Sequence, residues 1–415
     1  MRRGMQSLLL AAALAAGAAA GMSCNGNNDK KDRLILKTGL DEKQEGEEGN
    51  IAQVKRENRQ KEEIEYQKIR AAAEGGDATA QKSLGAMYYY GEGVEEDYKQ
   101  AVEWFRKAAE QGNASAQYNL GAMYYFYYGK GVEKDNKQAA EWFRKAAAQG
   151  EAAAQYSLGL MYEKGEGMEK DYKQAVEWYR KAAEGYLKAA DEGKVEAQLV
   201  LGGLYFGGKG VEQDYKQAAQ WYRKAAEQGN AKAQELLGGM YQAGMGVELD
   251  YKQAVEWYRK AAEKSAQMQE SLGCLYYFGL IVEQDYIQAA EWFRKAAEQG
   301  EAGAQYSLGL MYYKGEGMEK DVKQAAEWYS KAAEQGKAKA QVNLGMMYES
   351  GQGVIEDYIE AYKWYLLVEK GGEEVQKLKD ELRKKMTEGQ IAEGERRAKE
   401  FVEKREKKKG VEERH

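Results

Sequence analysis

The stretch from Asp77 to Gly112, DATAQKSLGAMYYYGEGVEEDYKQAVEWFRKAAEQG, decides the fold. Leu84, Met87 and Tyr88 recur at helical spacing and predict a first helix from about Ala78 to Tyr90, with one apolar face. Gly85 interrupts that helix at a cost of ~1 kcal/mol relative to Ala, so it marks a place where two helix backbones approach closely. The pair Gly91-x-Gly93 ends the helix, because glycine supplies the left-handed conformation that a helix C-terminus takes. Asp97 then reads as an N-cap, with Gln100 three residues on and able to reach back. Behind it Tyr98, Ala101, Val102, Phe105, Ala108 and Ala109 form the apolar stripe of a second helix, which Gly112 closes.

The same pattern runs outward from this stretch along the chain. All eight tryptophans fall in one register, at Trp104, Trp142, Trp178, Trp221, Trp257, Trp292, Trp328 and Trp364, spaced by 38, 36, 43, 36, 35, 36 and 36 residues. Each is preceded by Leu-Gly-x-x-Tyr, from Leu84-Gly85-Tyr88 to Leu344-Gly345-Tyr348, and by an Asp in the cap position, from Asp97 to Asp357. A two-helix unit of about 36 residues, repeated eight times, predicts an all-α solenoid in which each hairpin buries its apolar face against its neighbours. The absence of proline fits this reading, since a chain of 415 residues would ordinarily carry about twenty. Two irregularities stand out. Seven extra residues around Gly185-Tyr186-Leu187 amount to two helical turns, which a longer second helix absorbs. Repeat six reads Gly279-Leu280-Ile281 where the others have Gly-x-Gly, and the join before it, Lys264-Ser265, is one residue short and lacks the usual glycine. The region from Ala262 to Ile281 is therefore expected to be the weak joint.

The segments outside the repeats read differently. Arg2 and Arg3, the apolar run Leu8 to Ala20 and the small residues up to Cys24 resemble a bacterial secretory signal over residues 1–23. Gly21-Met22-Ser23-Cys24 resembles a lipobox, with Cys24 as the lipidated mature N-terminus, although Gly21 stands where such motifs usually carry Leu; ordinary cleavage after Ala18-Ala19-Ala20 is the alternative. Residues 24–60 are polar and low in large apolar side chains, the composition of a disordered tether. Residues 61–76 align with a second helix and predict an N-terminal cap, the repeats occupy 77–371, and residues 372–415 hold C-terminal capping helices and a charged tail. Thr387-Glu388-Gly389-Gln390 is a capping-box pattern at the start of the last helix.

Composition narrows the function. His415 is the only histidine, so a His-dependent catalytic triad, general base or metal cluster has no residues to draw on, and no metal or cofactor is expected. Two cysteines are too few for a disulfide scaffold or a Cys-based zinc domain. A net charge of −6 with both signs interspersed does not point to nucleic acid. The Gly-x-Gly turns lack the remaining elements of a phosphate loop, and acidic groups such as Glu95-Glu96-Asp97 lack the spacing of a calcium loop. Cys274 reads as a small core residue without a base to activate it. The candidate binding residues are the aromatics directly after the fixed Tyr: Tyr89, Tyr125, Phe206, Tyr277 and Tyr313. Glu163, Gln242 and Glu349 occupy the same position in other repeats, which argues for solvent access, so the aromatics there are either exposed partner contacts or packing between repeats.

The combination Leu-Gly-x-x-Tyr, Gly-x-Gly-Val, Asp, Trp-Phe/Tyr-x-Lys-Ala-Ala and Gly resembles the Sel-1-like repeat, a relative of the tetratricopeptide repeat, over eight copies from about Asp77 to Gly371. The resemblance implies α-hairpins stacked into a curved superhelix that serves as an adaptor for other proteins, in bacteria often at the envelope, with the first helices lining a concave partner surface. It makes the expected function a non-catalytic interaction scaffold for protein or peptide partners, exported and attached to the membrane by a lipid anchor alone. Cysteine-rich relatives associated with β-lactam binding and hydrolysis supply the enzyme alternative, but they carry regularly spaced cysteine pairs that this sequence lacks. An intracellular or secretory-pathway adaptor is the third reading.

Overall fold

The computed structural model describes residues 63–127, 131–368 and 372–412. The signal, the tether and Cys24 lie outside them. Among the described residues there are 19 helices, and the chain is an all-α solenoid of eight consecutive hairpins. It divides into two compact units, one ending at Gln228 and one beginning at Gly229.

In the first unit, α1 (63–74) precedes four hairpins: α2 (Ala78–Tyr90) with α3 (Tyr98–Glu110), α4 (Ala114–Tyr125) with α5 (Asn136–Ala148), α6 (Ala152–Lys164) with α7 (Tyr172–Asp191), and α8 (Val195–Gly207) with α9 (Tyr215–Glu227). Tyr66 and Ala73 of α1 pack against Leu84 and cover the first hairpin. The extra residues of repeat three lengthen α7 to a single helix of 20 residues, against 13 for α3.

The second unit contains α10 (Ala231–Ala243) with α11 (Tyr251–Ala262), α12 (Ala266–Phe278) with α13 (Tyr286–Glu298), α14 (Ala302–Lys314) with α15 (Val322–Glu334), and α16 (Ala338–Ser350) with α17 (Tyr358–Leu366). It closes with α18 (Gly372–Arg383) and α19 (Glu388–Glu412). The Thr387–Gln390 capping box forms: the Thr387 N–H donates to the Gln390 side chain at 2.9 Å, and the Gln390 N–H donates to Thr387 Oγ1 at 3.3 Å. From there α19 lies back on the last hairpin, where Phe401 meets Trp364 edge-on at 5.5 Å and Arg397 pairs with Glu360 at 2.7 Å.

One set of local devices builds every hairpin. The cap aspartates, Asp97 through Asp357, each accept two backbone N–H groups of the following helix, as Asp97 does from Lys99 and Gln100 at 2.9 and 3.0 Å. The Gln of the expected capping box does not reach back to the cap N–H. That donor is already used by the carbonyl of the fixed Tyr, as in Asp97 to Tyr88 at 2.9 Å and Asp321 to Tyr312 at 3.0 Å, a bond that also closes the interhelical loop. Gln253, Gln288 and Gln324 turn instead to Glu256, Glu291 and Glu327.

The fixed glycine of Leu-Gly-x-x-Tyr has a definite neighbour. A Cβ on Gly159 would fall 2.7 Å from the Tyr179 ring, and the equivalent clash, 2.5–2.8 Å, recurs at all eight repeats from Gly85 against Phe105 to Gly345 against Tyr365. The close approach is thus a second-helix ring seated on bare first-helix backbone, with a carbonyl such as Ala101 O also near. The second glycine of Gly-x-Gly, at positive φ, faces the preceding hairpin: a Cβ on Gly317 would lie 2.2 Å from the Tyr286 carbonyl oxygen. Repeat six has Ile281 at this place, so its loop cannot use the same cradle.

Candidate functional site

The residues after the fixed tyrosines occupy the last turn of each first helix, and Tyr89, Tyr125, Glu163, Tyr277 and Tyr313 reach the loop of the next repeat. Tyr125 is 6% exposed and Phe206 is 3% exposed. The expectation of solvent access fails at these two positions. Tyr125 donates its hydroxyl to Glu166 in the next repeat's Gly-x-Gly loop and stacks edge-on with Phe126, while Phe206 packs on Tyr215 at 5.2 Å. Tyr89, Tyr277 and Tyr313 are half-buried. The ring of Tyr89 sits among Tyr90, Tyr98 and Tyr127 at 5.0–5.7 Å. Tyr277 donates to Glu316 at 2.6 Å and accepts from Lys314 at 3.2 Å, and Tyr313 donates to Gln352 at 3.2 Å.

The tolerance for Glu and Gln has a pairwise cause. Where the second helix presents Tyr179, Tyr258 or Tyr365, the position holds Glu163, Gln242 or Glu349, each accepting that tyrosine's hydroxyl, at 2.6, 2.7 and 3.0 Å. Where the second helix presents Phe105, Phe143 or Phe293, no acceptor is needed, and Tyr89, Tyr125 or Tyr277 fills the space. Repeats four and seven combine two aromatics, Phe206 with Tyr222 and Tyr313 with Tyr329, so the exchange is not obligatory. The link to the next loop changes its chemistry in step. Glu163 takes Lys209 at 2.7 Å and Glu349 takes Lys385, in the turn after α18, at 2.9 Å, whereas the tyrosines take Glu or Gln.

Electrostatics follow from this geometry. Burial would raise the Glu163 carboxyl, but its bonds from Lys209 and Tyr179 outweigh that and hold it below its ordinary range. Burial first, and then the Glu163 contact, push the Tyr179 hydroxyl far up, and Tyr125 is raised by burial and by Glu166. Cys274 is half-buried, and burial followed by Glu270 raises its thiol, which keeps the nucleophilic thiolate scarce at neutral pH. Among the described residues no group of three His, Cys, Asp or Glu side chains could hold a metal ion, and no helix is long and apolar enough to cross a membrane.

Two repeated features escaped the sequence reading. A buried glutamine precedes each Leu-Gly by three residues: Gln81 donates to the Ala73 carbonyl at 3.1 Å and receives Gln111 at 2.7 Å, and the arrangement returns at Gln117, Gln305 and others. Its eightfold recurrence beside apolar neighbours was the available signal. The Lys of Trp-x-x-Lys stacks over the tryptophan three residues before it in seven repeats, for instance Lys107 on Trp104 at 3.8 Å, and Lys363 does the same for Trp364.

With that geometry in place, the comparisons with known proteins align with it. The Sel1 repeat family model matches residues 78–113, 114–151, 152–185, 195–230, 231–265, 266–301, 302–337 and 338–367. The unmatched residues 186–194 fall in the lengthened part of α7 and the turn after it. A Sel1 repeat protein from Oxalobacter formigenes is 30% identical, with a TM-score of 0.53, and the alignment covers 85% of this chain and 99% of that one. The protein c5321, described as a protective antigen of uropathogenic Escherichia coli strains displaying an SLR fold, is 37% identical over 81% of this chain and 86% of its own, with a TM-score of 0.41. No curated protein matches the chain.

Proposed function

This chain belongs to the Sel1 repeat family, and on that premise we propose that it is a non-catalytic scaffold for protein partners, exported and held at the bacterial envelope by a lipid on Cys24. Sel1 repeat proteins generally mediate protein–protein interaction. The observation that carries the reading is how the repeated residues are used. Rings, glutamines and cap aspartates are taken up by packing and capping in the hairpins, which leaves the non-repeating surface of the repeats to do the work. Tyr89 in the first unit, and Tyr277 and Tyr313 in the second, are half-buried at the ends of first helices and keep an outer edge that a peptide or protein partner of that unit can touch. The anchor is supported by the sequence alone, through Arg2-Arg3, the apolar run and Gly21-Met22-Ser23-Cys24. Crosslinking in the native envelope, purification of the full chain and mass spectrometry of what comes with it test the proposal. Reproducible protein partners in the membrane fraction are expected; a chain recovered alone would contradict it.

A further inference from the structure

The loop ends of hairpins five and six differ in chemistry from that of hairpin seven. In repeat seven, residues 314–323 carry three acids and three bases. The matching segments 243–252 and 278–287 carry four acids between them and one base, Lys252. Apolar side chains stand where repeat seven has charges: Phe278 for Lys314, Leu280 for Glu316, Ile287 for Lys323, and Leu249 for Lys320. None of these four is drawn into the core. Phe278, Leu280 and Ile287 are 61%, 64% and 62% exposed, and Leu249 is exposed as well.

Each loop is tied to its own helix end. The Asp250 N–H donates to the Tyr241 carbonyl at 3.1 Å and the Asp285 N–H to the Tyr276 carbonyl at 3.0 Å, which folds each loop onto its own helix end. Gln284 donates to the Tyr277 carbonyl at 2.8 Å, and the Tyr277 ring lies 4.9 Å from Phe278 and 5.3 Å from Tyr286. Exposed apolar side chains on a preorganised support are the usual mark of an interaction site. The charges around them are acidic on balance: Glu248 and Glu283 are exposed, Asp250 and Asp285 stand in the caps and Glu316 holds Tyr277, against Lys252 and Lys314. Such a rim disfavours an anionic lipid surface and favours a cationic partner.

We propose that Leu249, Phe278, Leu280 and Ile287 form a docking site for a peptide segment of adjacent aliphatic residues flanked by Lys or Arg. The inference rests on the scaffold reading and assigns part of its surface. The test uses the full chain and a labelled Lys-Lys-Leu-Ile-Leu-Lys-Lys peptide at physiological salt, with the same peptide carrying Glu in place of every Lys as comparison. The wild-type chain should bind the basic peptide at least tenfold more tightly than the acidic one. The triple variant Phe278→Lys, Leu280→Glu, Ile287→Lys, which installs side chains repeat seven already carries, should lose at least tenfold in binding with its melting temperature unchanged. If the triple variant does not fold, Leu280→Glu alone should lose about threefold.

Equal affinity for the two peptides, no binding by the wild-type chain, or full binding by a folded variant would overturn the proposal. So would adsorption to anionic vesicles, or self-association in sedimentation, that the triple variant abolishes, since those outcomes give the patch to a membrane or to a second copy. Crosslinked partners captured equally by wild type and triple variant would overturn the patch and leave the scaffold reading standing, whereas a wild-type chain that captures none overturns the scaffold reading itself.

Discussion

Replacing Gly159 by Ala should destabilise the protein although alanine is the better helix former. The new Cβ would lie 2.7 Å from Cδ1 and Cε1 of Tyr179 and 3.0 Å from Cγ. Carbon atoms in contact prefer about 3.5–4.0 Å, so the ring would have to recede by roughly an ångström. It has little freedom to do so. The Tyr179 ring is buried, and its hydroxyl is fixed at 2.6 Å to Glu163, which is itself held by Lys209. Overpacking of this kind costs about 1–3 kcal/mol, while removing a mid-helix glycine returns up to ~1 kcal/mol. The expected net loss is about 1–2 kcal/mol, read from urea unfolding followed by tryptophan fluorescence. Trimming the opposing ring tests the cause: in a Tyr179→Leu background the same Gly159→Ala change should cost nothing or stabilise. A Gly159→Ala protein as stable as wild type, or an equal cost in both backgrounds, would refute the seating of ring on backbone.

Other outcomes follow from the same structure. Tyr277→Phe and Glu316→Ala should each lower stability by about 0.5–1.5 kcal/mol, and the double variant should lose no more than the larger single effect, because both remove one bond between repeats; strict additivity would count against it. Tyr118, Tyr179, Tyr222 and Tyr365 all have hydroxyl pKa values raised above the ordinary 10.0, chiefly by burial. Their contribution to stability is therefore complete below pH 10 and is lost as pH rises beyond it. In an alkaline titration, part of the tyrosine absorbance change should appear only with loss of helical circular dichroism, and titration of all 32 tyrosines as one class near pH 10 with helicity intact would contradict this. Mass spectrometry of the N-terminal peptide should find a lipid-modified Cys24; an unmodified N-terminus at Gly21 with the protein in the soluble fraction would remove the anchor.

The sequence made the hairpins legible because eight copies of one unit act as their own comparison. Asp97 and its equivalents, the helix-ending Gly91 and the lengthened α7 could be placed from spacing alone. The site was harder to read, since the position after the fixed Tyr looks variable when taken singly. Its partner lies 16 residues further on in Tyr179 or Phe293, with a second tie 46 residues on from Glu163 to Lys209 in the next loop, so Glu163 signals a half-buried acceptor rather than an exposed surface. Gln81 was passed over for the opposite reason: a polar residue beside Leu84 suggests a surface until its Ala73 and Gln111 bonds are seen.

Successive hairpins are joined by a recurrent set of ties, and the five–six junction lacks part of it. Gln242 faces a loop whose matching residue is the apolar Leu280, and Ile281 replaces the cradle glycine. Hydrogen exchange resolved along the second unit tests this most directly. The tie from Gln242 to the next loop, lost at this junction and worth ~1 kcal/mol, predicts amide exchange roughly fivefold faster from Ala262 to Ile281 than across the junction between α15 and α16. Equal protection at the two joints would contradict the claim that these ties set the stability of the array.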